Sequence, residues 1–381
     1  MVLIVTTLTS CQHPKSQVVS TWNQQMAATY LDSREGWWTT WTGATRDHAT
    51  FCVSCHTTLP YALARPRLRD VLGEPRFTLE ETDLIDSIVK RVRLGGNALA
   101  YYANRDYGDK AAQSRGTESV LNSLILANYD ATRGKLSDDT HTALNNMWSL
   151  QQTSGPERGS WSWLQFDQEP WEASDSAFYG ATLAAVAVGI APEQYAATPN
   201  IQGNLELLRG YLNKNAEAEP LINRVFLLWA STKLNNLLRP DQQEGIIREV
   251  LRTQRSDGGW ALVSIVWKQN HWNVRPLISM WLRKDGTPQE KASDGLATGL
   301  ITYALQEAGV PRDSAELRRG LQWLKSNQST YGSWPASSMN KRRSQTSDTG
   351  RFMSDAATAF AVLALTDDNE NTIRTTAALA H

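Results

Sequence analysis

Cysteine and methionine are scarce in this chain, and no hydrophobic run is long enough to cross a membrane. The 381 residues include three cysteines and six methionines. The longest apolar stretch, residues 181–191, is about half the length that a membrane-spanning helix requires, so it predicts a buried helix. The formal net charge of −1 gives no indication of a nucleic-acid partner or of an anionic membrane surface.

The N-terminus indicates export. Residues 2–8 form a short apolar run, and residues 8–11, Leu-Thr-Ser-Cys, resemble a bacterial lipobox, in which the cysteine is lipidated. No Lys or Arg precedes the run, as a signal peptide should have, and a start codon assigned too late would explain this. The alternative is a frayed apolar terminus with an unpaired thiol. We predict a signal peptide and linker over residues 1–16, lipid attachment at Cys11, and a periplasmic or lipid-anchored protein whose only membrane contact is that anchor.

Helical patterns dominate from residue 17 onward, and one layout recurs. A polar or acidic residue precedes a helix rich in apolar and small residues, as at Asp175, Asp294 and Asp355. The spacing of roughly 50–70 residues leaves room for one amphipathic outer helix between successive inner helices, as in a helical repeat array. Six inner helices are predicted, with starts near residues 56, 118, 175, 223, 294 and 355.

Tryptophan is abundant, with 15 residues, and several predicted outer helices end in the same device. In residues 319–334 a helix containing Arg-Gly-Leu-Gln-Trp-Leu is followed by Gln328 and then Gly332-Ser333-Trp334. Residues 248–260 and 148–161 repeat it in part, and residues 34–37 are a degenerate copy. We expect the glutamine to bind carbonyl groups at the helix end, the glycine to permit a left-handed turn, and the tryptophan to pack over the end.

This device resembles the QW motif of squalene–hopene cyclases and their relatives. The resemblance covers roughly residues 20–365 and is complete in residues 319–334. It implies an all-α fold, an α/α toroid of six inner helices inside six outer ones. We therefore predict a single toroid domain over residues 17–381.

Cys52, Cys55 and His56 form the pattern C-x-x-C-H, which resembles the haem attachment site of c-type cytochromes. A gap of two residues puts both sulphurs on one side of a helical turn, where they can add to two vinyl groups of one porphyrin. The resemblance implies one covalent haem c, with His56 as an axial ligand of the iron. Because His56 begins a predicted inner helix, we expect this group at one mouth of the barrel.

Other uses of these residues stay open. A zinc site would lack a second cysteine pair, and a redox disulfide would lack the βαβ unit that usually carries it. No methionine occurs between Met26 and Met147, so the sixth iron ligand is not assigned. The candidates for it are His48, His141, His271 and the distant methionines, and a five-coordinate iron is also open.

Cyclase chemistry is not expected, because the D-x-D-D acid motif of these enzymes is absent. The nearest string, residues 136–140, has leucine at the first acidic position, and Ser137 is better interpreted as a helix N-cap. The Asp-Cys-His zinc set of the related protein prenyltransferases is not expected either, since both cysteines after Cys11 belong to C-x-x-C-H.

Three acidic residues, Asp175, Asp294 and Asp355, are expected to gather at the same rim as His56. A ring of carboxylates could perform acid–base chemistry, but capping of the helices that follow is favoured. The repeated tryptophans are expected to be structural rather than to stabilise carbocations. Residues 341–343, Lys-Arg-Arg, predict a solvated loop.

Three functional hypotheses follow. The first is an exported mono-haem protein in electron transfer or redox chemistry, with a redox partner protein. The second is a toroid that binds or converts a hydrophobic small molecule such as a terpenoid or lipid in its cavity. The third is a noncatalytic scaffold for protein interaction. A deep apolar cavity would favour the second, and a filled centre would favour the first or third.

Overall fold

The helices of this protein alternate between an outer and an inner ring. The computed structural model describes residues 22–103, 108–268 and 278–367. The outer helices in these residues are α1 (Gln24–Thr40), α3 (Leu79–Leu94), α5 (Asp138–Ser149), α7 (Gln202–Asn215), α9 (Pro240–Arg252) and α11 (Ala315–Ser326). The inner helices are α2 (Thr58–Leu72), α4 (Lys110–Ala131), α6 (Ser176–Ile190), α8 (Leu221–Lys233), α10 (Gly295–Glu307) and α12 (Phe352–Thr366).

The inner helices form a closed ring. Each one contacts the next in chain order, and α12 packs against α2. The predicted α/α toroid is confirmed, and five of the six inner helices begin within three residues of the predicted starts. The exception is α4, which begins at Lys110 and not near residue 118. A small antiparallel hairpin, β1 (Thr45–Arg46) and β2 (Thr50–Phe51), lies between α1 and α2.

Composition explains which helix goes to which ring. Helix α6 is apolar on all sides and is buried from Ser176 to Val188, as expected of a helix surrounded by other helices. Helix α9 buries only Ile246 and Val250, and exposes its polar face. Between α10 and α12 the backbones approach closely, since a side chain at Gly299 would lie 2.6 Å from the backbone nitrogen of Ala361.

Aromatic side chains pack against one another inside the ring. Phe226 of α8 meets Tyr179 of α6 edge-on, with ring centroids 4.7 Å apart. It also meets Phe360 of α12, with centroids 5.9 Å apart. All three side chains are buried. These three residues thus form part of the core, while a cavity of about 470 Å³ lies between the inner helices nearer their C-terminal ends.

The repeated tryptophans close the C-terminal ends of three outer helices, as predicted. The indole N–H of Trp161 donates to the carbonyl of Met147 at 2.6 Å, at the end of α5. Trp260 and Trp334 make the equivalent bonds at the ends of α9 and α11, at 3.0 Å and 2.8 Å. All three side chains are fully buried, and each indole adds a second hydrogen bond to a carbonyl in the last turn of its helix.

The repeated glutamines act differently from the prediction. The amide of Gln254 donates to the carbonyl of Gly258 in its own loop and to that of Glu316 in the next outer helix, at 2.9 Å and 2.8 Å. It therefore joins neighbouring repeats and does not close its own helix. The turn glycine is required: Gly332 has φ +87°, and a side chain there would lie 2.2 Å from the Met26 carbonyl oxygen.

The predicted N-cap at Ser137 is confirmed, whereas the predicted copy of the tryptophan device at residues 34–37 is wrong. Ser137 caps α5, with its hydroxyl accepting from the backbone N–H of Thr140 at 3.2 Å, as predicted. Residues 34–37 are not a fourth copy of the tryptophan device, because they lie inside α1 with no turn. None of the described helices is both long and apolar enough to cross a bilayer.

Candidate active site

The Cys52–His56 segment connects the β hairpin to inner helix α2. The indole N–H of Trp38 donates to the Cys52 carbonyl at 2.7 Å, which fixes the start of the segment on α1. The Ser54 hydroxyl accepts from the backbone N–H groups of Thr57 and Thr58, at 3.1 Å and 3.0 Å. Serine therefore caps the helix, and His56 lies in the turn before it rather than at its first residue.

The His56 ring is enclosed by aromatic side chains. It stacks on Phe352 with centroids 3.8 Å apart, and meets the edge of Trp38 at 5.1 Å. Its Nδ1 lies 2.9 Å from the Thr57 hydroxyl. Burial lowers the pKa of His56 to about 3, so the ring is neutral at physiological pH.

The two cysteines lie in different surroundings. Both thiols are buried, and burial raises the pKa of Cys52 to about 11 and the pKa of Cys55 well above its ordinary value. Cys55 and His56 line a cavity, whereas Cys52 does not. Cys55 and His56 therefore share a cavity wall, and the haem attachment that the pattern implies stays a prediction.

The cavity lies at the N-terminal mouth, the end of the barrel at which the inner helices begin. Its volume is about 380 Å³. Six aromatic side chains share in its walls: Trp38, Trp41, Tyr102, Phe166, Trp171 and Phe352. Its polar lining comes from His56, Gln168, Glu169, Glu172, Ser338, Asn340, Arg343 and Thr349. We call it the mouth cavity.

Residues 166–172 form a tight loop on one wall of the mouth cavity. The backbone N–H groups of Phe166 and Gln168 both donate to the Glu172 carbonyl, at 2.8 Å and 3.1 Å, and the Glu172 N–H donates back to Gln168 at 2.9 Å. The indole N–H of Trp163 holds the Trp171 carbonyl at 2.9 Å. This bonding sets Glu169 and Glu172 on a fixed backbone at the rim.

The loop that contains Asn340 and Arg343 is hydrogen-bonded to the loop over residues 166–172. The Asn340 side chain accepts from the Glu169 N–H at 2.9 Å and donates to the Glu169 carbonyl at 2.8 Å. Lys284 forms an ion pair with Asp167 at 2.6 Å. Arg343 reaches the cavity from the same loop, so the predicted solvated loop over residues 341–343 is exposed but also contributes to the site.

Two carboxyl groups that line the mouth cavity have raised pKa values. Burial raises the pKa of Glu169 to about 8, and nearby Asp175 adds to the effect. Burial raises the pKa of Glu172 to about 7, against the attraction of Lys110. No hydrogen bond or ion pair ties either carboxyl to another residue in the part of the chain that the structure describes. Each is therefore free to exchange a proton with a bound molecule near neutral pH.

Of the helix caps predicted at Asp175, Asp294 and Asp355, only the one at Asp294 is confirmed. Asp294 caps α10, accepting from the N–H groups of Leu296 and Ala297. Asp355 is not a cap: it lies inside α12 and accepts from Arg34 at 2.8 Å and Thr57 at 2.7 Å, beneath the segment that carries His56. The carboxyl of Asp175 makes no capping bond and faces Lys268 at 3.5 Å.

Glu169, Glu172 and the aromatic walls were missed by the sequence interpretation. A signal existed, since residues 165–172, Gln-Phe-Asp-Gln-Glu-Pro-Trp-Glu, follow the buried Trp161 closely and precede an inner helix. Among the predicted iron ligands, His48 lies in an exposed turn and His141 lies on α5 against Tyr195. Cys11 and His271 lie outside the described residues.

Comparison with known proteins shows the fold. No family model and no curated protein matches the chain. A solved structure of a glycosidase variant covers 91% of this chain and 97% of its own, at 12% identity and a TM-score of 0.51. A second glycosidase variant reaches a TM-score of 0.48 over the same shares at 12% identity. A possible member of the GH105 family from Klebsiella pneumoniae reaches 0.47 at 11% identity, over 96% of this chain and 100% of its own.

The predicted function, a haem protein in electron transfer, is wrong. The solved structure that shares this toroid is a glycosidase, and in the described ranges no group of three or more His, Cys, Asp or Glu side chains is placed to hold a metal ion. The alternative of a lipid-converting toroid is not favoured by this comparison. A noncatalytic scaffold is not favoured either. The cyclase resemblance extends to the toroid and no further.

The remaining predictions stay predictions. They are the single domain over residues 17–381, covalent haem c as a cofactor, a redox partner or a hydrophobic small molecule as a ligand, lipid attachment at Cys11, and export. No finding tests any of them.

Proposed function

We propose that this protein hydrolyses glycosidic bonds of a saccharide bound in the mouth cavity. The observation that carries the proposal is the joint presence, in one cavity, of aromatic walls and of two carboxyl groups that titrate near neutral pH. Toroids are used for many chemistries, so the argument rests on the site and the shared fold only adds to it.

The aromatic walls suit a sugar. A pyranose ring presents C–H groups on its faces and hydroxyls at its edge, so it packs flat on an indole while its edge takes hydrogen bonds. Trp41 and Trp171 supply such faces at the rim. Gln168, Asn340 and Arg343 supply polar groups beside them.

The carboxyl groups suit the cleavage. With a pKa of about 8, Glu169 is mostly protonated at pH 7 and can donate its proton to the glycosidic oxygen as the C–O bond breaks. With a pKa of about 7, Glu172 is half ionised and can take a proton from the water that attacks the anomeric carbon. The products are two saccharides with free hydroxyls, and no other reactant is needed.

The solved structure with the same fold supports the proposal, since it is a glycosidase that matches 97% of its own length to this chain. The fold places the N-terminal ends of six inner helices around one rim, where loops can vary while the ring stays rigid. The loops over residues 166–172 and 338–350 supply much of the lining of the mouth cavity in this chain.

The test is release of reducing sugar from a panel of oligosaccharides by the purified full chain. We expect at least one member of the panel to be cleaved, and expect Glu169→Gln and Glu172→Gln each to lower the rate by about 10²–10⁴-fold. Glu244→Gln, an exposed carboxyl on outer helix α9, is the matched control and should keep full activity.

Circular dichroism of each variant separates loss of chemistry from loss of folding. Cleavage that survives in both cavity variants would contradict the assignment of the acid and the base. An unsaturated product that absorbs ultraviolet light would show elimination instead of hydrolysis and would overturn the proposed reaction. Absence of any cleavage across neutral, acidic and amino sugars would overturn the proposal as a whole.

A further inference from the structure

A second cavity lies on the outer side of the inner ring, away from the mouth. It is enclosed by outer helices α3 and α5 and by the outward face of inner helix α4, and its volume is about 250 Å³. That is about eight water molecules at roughly 30 Å³ each, which is the size of a monosaccharide. None of the residues that line it lines the mouth cavity.

Asn122 of α4 is the residue that indicates a ligand. Its side chain is 4% exposed and lines this outer cavity, and its Oδ1 is buried without a hydrogen-bond partner in the described chain. Its Nδ2 makes no bond to the described residues either. A buried primary amide without a partner is costly and uncommon in native proteins, and it can both accept and donate.

The charges of the outer cavity are already engaged within the protein. Arg91 pairs with Glu118, with Nη2 3.1 Å from Oε2. Arg115 donates to the backbone carbonyls of Ala98 and Gly96, at 2.6 Å and 3.3 Å. An ionic ligand would therefore have to disrupt bonds that are in place, whereas a neutral one would not.

The other polar groups of the wall favour a ligand with hydroxyls. The Nδ2 of Asn146 donates to the Val92 carbonyl at 3.3 Å, so its Oδ1 remains an acceptor. The hydroxyls of Ser119 and Ser149 each donate to a carbonyl of their own helix and keep their lone pairs. Acceptors thus outnumber free donors, and the ligand must supply donors.

We propose that the outer cavity binds a small neutral polyol of monosaccharide size, with the Asn122 amide holding two neighbouring hydroxyls, one as acceptor and one as donor. This site is separate from the mouth cavity, and the proposal stands whether or not the mouth cavity hydrolyses a saccharide.

The test measures binding of glucose, galactose, mannose and myo-inositol to the full chain by ligand-observed NMR and calorimetry, with glucuronate and glucosamine as charged counterparts. We expect at least one neutral polyol to bind and its charged counterparts to bind at least about tenfold more weakly. Asn122→Leu should weaken binding by at least about tenfold, the loss of two hydrogen bonds, and should leave the melting temperature unchanged or higher because no protein bond is removed.

Two further variants locate the site. Asn128→Leu, on the same helix, removes a bond of 3.1 Å to the Ala62 carbonyl, so it should lower the melting temperature and leave binding intact. Trp41→Ala alters the mouth cavity and should also leave this binding intact. Ala143→Leu places a larger side chain in the wall of the outer cavity and should weaken binding at least as much as Asn122→Leu does. Absence of polyol binding by the unaltered chain, or equal binding by Asn122→Leu, would overturn the proposal. Binding lost only in Trp41→Ala would assign it to the mouth instead.

Discussion

Gln328 binds both backbone polar groups of Asn23 across 305 residues of sequence. Its Oε1 accepts from the Asn23 N–H at 2.6 Å, and its Nε2 donates to the Asn23 carbonyl at 2.9 Å. The Asn23 side chain in turn caps α1. The loop that contains Gln328 and Trp334 thus holds the start of α1. The outer ring therefore closes between α11 and α1, which are not consecutive in the chain.

This closure leads to the first prediction. Gln328→Ala should cost about 1 kcal/mol of unfolding free energy, because it removes two hydrogen bonds to the backbone of Asn23 at an exposed position where water can replace them. It should also raise amide hydrogen exchange in the first turns of α1, measured by mass spectrometry. Gln254→Ala is the matched control, since it removes the equivalent bonds from the glutamine amide to its own loop and to the next outer helix, between two repeats that are consecutive in the chain. Equal exchange of α1 in both variants would show that Gln328 does not close the ring.

The ring could be predicted from sequence because its determinants are local. A polar residue before a run of small and apolar residues is enough to indicate an inner helix, and glutamine, glycine and tryptophan at fixed spacing indicate the end of an outer one. Each buried indole then donates to a carbonyl in the last turn of the helix before it, as Trp334 donates to Leu324.

The site could not be predicted in the same way, because its chemistry arises from burial by distant segments. The pKa of Glu169 is raised mainly by burial and then by the charge of Asp175, and the burial depends on how the fold encloses the loop. The pattern Cys52–His56 is also local, and the fold fixes its first residue where the Trp38 indole donates to the Cys52 carbonyl. The haem attachment that the pattern implies remains a prediction.

The pH dependence of cleavage is the second prediction. The rate should be highest between about pH 7 and pH 8, falling at higher pH as Glu169 loses its proton and at lower pH as Glu172 gains one. Glu169→Gln should remove the fall at high pH. An aryl glycoside, whose leaving group departs without a proton, should be cleaved by Glu169→Gln far better than an alkyl glycoside, and Glu172→Gln should show no such preference. An equal loss on both substrates would indicate a structural role for Glu169.

The third prediction concerns the thiols. Because Cys52 and Cys55 are buried and their pKa values are raised, both should react slowly with a water-soluble alkylating reagent in the folded protein and rapidly after denaturation. Peptide mapping distinguishes them from Cys11. Cys55 borders the mouth cavity, so a bound saccharide should slow its labelling further and leave Cys52 unchanged. Rapid labelling of both in the folded state would contradict this burial. If neither thiol reacts even after denaturation, both sulphurs carry a covalent modification.

The last prediction uses a carboxyl group that the site does not employ. Glu35 of α1 is fully buried, and neither of its oxygens reaches a hydrogen-bond partner in the described ranges. Burial, together with the nearby charge of Asp355, raises its pKa from 4.5 to about 8. Between these two values the folded chain keeps a proton that the unfolded chain releases, so the stability due to this group is complete below about pH 4.5 and is lost as pH rises towards about 8.

Glu35→Gln should therefore be more stable than the unaltered protein at high pH, by an amount that grows between pH 5 and pH 8 and then levels off. At about 1.36 kcal/mol for each unit of pKa shift, the upper limit is about 5 kcal/mol. Urea unfolding of both proteins at a series of pH values gives the difference directly, with Glu244→Gln on the surface of α9 as the control that should show a flat difference. A flat difference for Glu35→Gln as well would mean that its carboxyl is already ionised in the folded protein, and that α1 and α2 pack around a charge instead of a neutral acid.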